Sequence, residues 1–131
     1  MVKIYGITFV IFLILDSVWL AIISPGLYQD QISHLLAAQV NWAAAVLFYL
    51  LFIAGLAFFA VKPSLQQDSW KSALRTGAFF GLVCYATYDL TNQATMREWP
   101  LIITVIDLLW GTFICGMTTA ISFFTIKKLS K

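Results

Sequence analysis

Apolar residues run along this chain in long blocks, and the polar residues between them come in short clusters. The first block, Ile4–Ile23, holds 20 residues and predicts a helix that crosses roughly 30 Å of hydrocarbon at about 1.5 Å per residue. Blocks over Trp42–Val61, Arg75–Thr95 and Leu101–Ile126 predict three more spans. Ser24-Pro25-Gly26 and Lys62-Pro63 read as the ends of the first two spans. Asp68-Ser69 reads as a cap before the third span, and Trp99-Pro100 as the opening of the fourth. The expected fold is all-α, a polytopic bundle of four transmembrane helices forming one domain over residues 1–131.

Between the first two spans, Leu27, Tyr28, Ile32, Leu35 and Leu36 fall on one helical face. With Ser24 as a cap and Pro25 in the first turn, they predict a short helix over Ser24–Gln39 on the outer membrane surface. His34, the only histidine, then sits near water as an interfacial residue, with a pH-sensing or catalytic role as the sharper alternative.

Flanking charge orients the spans. Of the eight Lys and Arg residues, Lys3, Lys62, Lys71, Arg75, Lys127, Lys128 and Lys131 share one side, and only Arg97 lies on the other. That bias puts both termini and the middle loop in the cytoplasm. Trp42, Trp70 and Trp99 fall at the expected interfaces. The composition agrees, with 11% charged residues against about 25% in a soluble domain. The net charge of +2 is too small and scattered for nucleic acid binding. The first block is longer than a signal-peptide core and lacks a small-residue cleavage site, so it reads as a retained span. Cys84 and Cys115 stand in apolar runs, without a C-x-x-C pair or zinc-like spacing, and read as buried thiols.

Three of the six acidic residues, Asp16, Asp89 and Asp107, stand inside spans. An aspartate at a helix centre costs about 2.5–3.5 kcal/mol to insert, so each is a candidate functional residue. Asp16 is nine residues before Pro25, Asp89 eight before Arg97, and Asp107 seven after Pro100. All three therefore lie roughly 10–14 Å in from the outer ends of their helices. Tyr49 reaches the same level, and Tyr85, Tyr88 and Asn92 surround Asp89. On the third span, Gly77, Gly81, Tyr85, Tyr88, Asn92 and Thr95 share a face with Asp89 at its edge.

Two echoes, Leu15-Asp16-Ser17-Val18-Trp19 and Ile106-Asp107-Leu108-Leu109-Trp110, place an indole three residues after a carboxyl, so each Trp packs beside its Asp. The candidate catalytic pair is Asp89 and Asp107, with Asp16 third. The candidate ligand-binding residues are Tyr88, Asn92, Tyr85, Tyr49, Trp19 and Trp110. Gly55, Gly77, Gly81, Gly111 and Gly116 read as helix-packing contacts, and the phenylalanines of the second span as lipid-facing or core. A hard cation wants about six oxygen ligands, more than three aspartates on three helices offer, and no cofactor fingerprint is present. Neither a metal nor a cofactor is expected.

The run Tyr85-Ala86-Thr87-Tyr88-Asp89-Leu90-Thr91-Asn92-Gln93-Ala94-Thr95 carries a family resemblance. Asn41-Trp42-Ala43-Ala44, Phe48-Tyr49, Trp99-Pro100 and Asp107-Leu108-Leu109-Trp110-Gly111 extend it over Leu15 to Gly111. Together they resemble a family of small bacterial membrane proteins known only by a domain of unknown function, DUF2177. The resemblance implies a four-helix protein of the bacterial inner membrane and supplies no activity, substrate or catalytic residue.

The leading expectation is an intramembrane site, open toward the outer leaflet, that binds and transforms a lipid-like or apolar small molecule. One aspartate, kept protonated by burial and like-charged neighbours, would donate a proton. Another, hydrogen-bonded to Tyr88 or Asn92, would accept one. A proton-coupled transporter working as a homodimer is the alternative, and a structural or accessory membrane subunit is the third.

Overall fold

The computed structural model of the chain describes residues 2–35 and 41–130. Among these residues every regular element is helical. Helix α1 (Val2–Val18) widens into a π turn (Trp19–Ile23) and continues as α2 (Ser24–Ile32), which ends in a 3-10 turn (Ser33–Leu35). Helix α3 (Trp42–Leu56) widens into a second π turn (Ala57–Val61) and continues as α4 (Lys62–Gln67). The long helices α5 (Trp70–Thr95) and α6 (Leu101–Leu129) follow. Three of these stretches, Val2–Ile23, Trp42–Gln67 and Leu101–Leu129, are long and apolar enough to cross a membrane.

Neither Pro25 nor Pro63 ends its helix, contrary to the reading of the sequence. A proline offers no N–H, and its ring presses on the carbonyl four residues back. For Pro25 that carbonyl belongs to Ala21, and for Pro63 to Phe59. Both lie inside a π turn that ends two residues before the proline. The wider turn relieves the clash, so the backbone stays helical through Gly26 and on to Gln67. The second helix therefore ends at Asp68, in left-handed conformation with φ 53°, and not at Lys62-Pro63. Ser69 then caps α5 by accepting a hydrogen bond from the Ser72 N–H at 3.1 Å. Asn41 caps α3 in the same way through the Ala44 N–H at 3.1 Å.

The expected surface helix is present as α2, although its last residues, 36–40, lie outside the described ones. Its apolar face packs on the protein: Ile32 lies against Trp99 and Ile103, with Leu27 and Tyr28 alongside, so α2 folds over the α5–α6 connection and the start of α6. This also buries Trp99, which was expected at the interface; Trp42 and Trp70 remain exposed. His34 lies in the 3-10 turn, its Nε2 3.7 Å from a Glu98 carboxylate oxygen.

Helices α5 and α6 pack antiparallel along most of their length. A side chain at Gly77 would meet Thr119 Oγ1 at 2.3 Å, and one at Gly81 the Gly111 carbonyl at 2.1 Å. At the next step along α5, the Tyr85 ring covers Gly111. Only absent side chains allow so close an approach. The α5 stripe facing α6 thus advances by fours through Ala73, Gly77, Gly81, Tyr85 and Asp89, and places Asp89 at its centre. Tyr88 and Thr95, expected on that face, are turned outward. A core of Phe12, Phe52, Ile53, Leu56 and Ile114 closes α1 and α3 against α6.

Candidate functional site

Asp16, Asp89 and Asp107 are all buried, and they occupy two settings. Asp16 sits against α3 and α6. The Tyr49 hydroxyl donates to its Oδ2 at 2.9 Å. The Trp110 indole N–H lies beside the same carboxyl without completing a hydrogen bond. Beneath them Phe12 packs against Tyr49 and Phe52, with ring centroids 6.1 and 5.3 Å away. Trp110 also stacks on Trp19 at 4.4 Å and 13°. The two indoles therefore share one stack between α6 and the π turn after α1. The π turn starts at Trp19, so the local widening coincides with the residue that makes the stack.

Asp89 and Asp107 form the second setting, facing one another across α5 and α6. Asp107 accepts a hydrogen bond from the Tyr28 hydroxyl, reached from α2. Tyr28 lies outside the spans, and burial, followed by the adjoining Asp107 carboxyl, holds its phenol above the usual tyrosine range. It therefore remains a donor at any physiological pH. Asp89 is 1% exposed; its carboxyl lies within hydrogen-bond reach of the Asp107 carboxyl, and no other described residue donates to it. The hydrogen bond expected from Tyr88 or Asn92 to an aspartate is not made. Among the described residues no hydrogen bond joins Asp16 to Asp89 or Asp107.

A cavity of about 360 Å³ opens beside the Asp89–Asp107 pair. Phe48 and Phe52 line it from α3, Cys84, Tyr85, Tyr88 and Asp89 from α5, and Asp107 from α6. Phe48 and Tyr88 are 56% and 59% exposed, which puts the mouth on the side of the bundle, between α3 and α5. The sequence-selected residues thus divide. Asp89, Asp107, Tyr85 and Tyr88 meet at the cavity, whereas Asp16, Tyr49, Trp19 and Trp110 gather on the α1 side. Asn92 is half-buried and absent from the lining.

Sequence reasoning missed Tyr28, which was placed at the surface. Phe52 is core and Phe48 is exposed, within the expected lipid-or-core reading, and both also line the cavity. The four-residue spacing of Phe48 and Phe52 puts both on one face and was the available signal.

The end of the site near the α5–α6 connection is tied by side chains. Gln93 Nε2 donates to the Trp99 carbonyl at 3.0 Å, Trp99 Nε1 to Thr104 Oγ1 at 3.0 Å, and Thr104 Oγ1 to Gln93 Oε1 at 2.9 Å. This ring fixes the register of α5 on α6 four residues outward of Asp89. Among the described residues no cluster of His, Cys, Asp or Glu could hold a metal ion.

No curated protein and no solved structure matches the chain. The model of a family described as Predicted membrane protein (DUF2177) matches residues 1–124, so the chain belongs to that family of membrane proteins.

Proposed function

We propose that the chain is a four-span protein of the bacterial inner membrane with both termini in the cytoplasm, and that its lateral cavity binds a lipid-like or apolar small molecule against Asp89. The antiparallel register of α5 on α6, from Gly77 beside Thr119 to Gln93 beside Thr104, supports α5 as a further span, third in chain order. Its 26 residues reach about 39 Å, enough to cross. Its polar residues weaken its apolar character, but Asp89 and Gln93 face α6. The Lys127–Asp68 ion pair joins the end of α6 to the α4–α5 turn, as a common cytoplasmic side requires.

The observation that carries the binding function is Asp89. A buried carboxyl whose one polar neighbour is a second acid is costly, and such pairs persist where a ligand or proton completes them. The cavity beside it has aromatic walls and a volume within the range of small-molecule sites. Tyr28 orients Asp107 while Asp89 stays open. That asymmetry suits proton exchange with a bound molecule, as in isomerisation, hydration or ether hydrolysis.

Native mass spectrometry of protein released gently from its own membrane tests the binding function. A specific molecule retained by the native chain and lost from folded Asp89→Asn is the expected result. Equal ligand content in both, or none in either, contradicts it.

A further inference from the structure

Resting on the binding site proposed above, we infer that its ligand is a single-chain amphiphile with a protonated amine head, recognised by Asp89. Two carboxyls face the cavity and each other; Tyr28 donates to Asp107, while no described residue outside the pair donates to Asp89. Among the described lining residues there is no Lys, Arg or His to balance them. An anionic head would bring a third negative group to the pair and is disfavoured by repulsion. A protonated amine offers both what this acid pair lacks, N–H donors and a countercharge. The walls agree, because the faces of Phe48, Phe52, Tyr85 and Tyr88 attract a cation more than an anion.

Size and access set the rest of the class. About 360 Å³ accommodates a head and a short stretch of chain, not a whole two-chain lipid. The mouth between Phe48 and Tyr88 opens on the side of the bundle, so a tail extends through it into the bilayer. The head reaches Asp89 from the membrane without crossing the α2 cover over α5 and α6.

The test compares three probes with one twelve-carbon chain, namely dodecylamine, dodecanol and laurate. Each is titrated against the full chain in detergent micelles and read by native mass spectrometry. Dodecylamine is expected to bind about tenfold or more tighter than the other two, and Asp89→Asn is expected to remove that preference. Phe48→Trp, which fills the mouth and leaves every carboxyl in place, is expected to weaken dodecylamine binding. Laurate binding as tightly as dodecylamine, or a preference that survives Asp89→Asn, overturns the amine assignment. If dodecanol binds best and its binding depends on Asp89, the amine class falls while the site stands. If no probe responds to either substitution, both fall.

Discussion

The Tyr28 hydroxyl donates to the Asp107 carboxylate across 79 positions of sequence, linking a helix outside the spans to a carboxyl inside them. Ile32 on the same helix packs on Trp99 and Ile103, so α2 is held by one polar and one apolar contact. The consequence is a division of labour between two facing acids. Asp107 takes a hydrogen bond from Tyr28, and Asp89 has no donor among the described residues apart from the Asp107 carboxyl it faces.

Tyr28→Phe removes the donor and keeps the ring. An interhelical hydrogen bond of this kind contributes about 1–2 kcal/mol. Thermal unfolding in detergent should fall by that amount, and the amides of residues 27–32 should exchange faster with solvent. Unchanged protection in α2 would mean that the Ile32 contact alone seats it.

Asp89→Asn should be at least as stable as the native chain. The neutral amide can still donate to the Asp107 carboxyl it faces and buries no like charge beside it, so it relieves a cost without breaking a contact. The expected shift in Tm lies between none and a rise of about 5 °C. A clear fall would place Asp89 in a structural network instead of a binding site.

Gly81→Ala should be costly. Its new methyl would sit 2.1 Å from the Gly111 carbonyl and 2.7 Å from Cys115 Cβ, forcing α5 off α6. A loss of about 1–3 kcal/mol is expected from such overpacking. Gly6→Ala is the control, because nothing lies within 4 Å of its added carbon. It should change stability by no more than about 1 kcal/mol.

The sequence made the helices and the Ser69 cap plain, and left the joints between helices hidden. Ser69 reads as a cap because its hydroxyl and the turn before it are local chemistry. The π turns before Pro25 and Pro63 are not local in that sense. Hydropathy marks a proline as a stop, and only the geometry of the preceding turn turns it into a passage. Depth was legible too, since residues per helix convert directly to height. Rotation was not. Counting by 3.6 put Asp89 at the edge of its face, whereas the close approach at Gly77 and Gly81 imposes a four-residue stride that centres it. Tyr28 was hidden for a related reason, because its neighbours in sequence are extramembrane while its hydroxyl is not.

Topology separates four spans from three. In a chain with Cys84 and Cys115 replaced by Ala, Glu98→Cys should react in intact cells with a membrane-impermeant maleimide. Lys128→Cys should react only after lysis. If α5 did not cross, the pattern would reverse, with position 128 labelled from outside and position 98 protected.

Cys84 offers the most direct view of the cavity, because it lines the wall next to Tyr85 while Cys115 is fully buried and serves as an internal control. The measurement is the rate at which N-ethylmaleimide alkylates Cys84 in delipidated protein, before and after adding a lipid extract of the native membrane. An occupied cavity predicts several-fold slower alkylation of the native chain on addition, and no such slowing for Asp89→Asn. The same rate with and without extract in the native chain would contradict a binding site at Asp89.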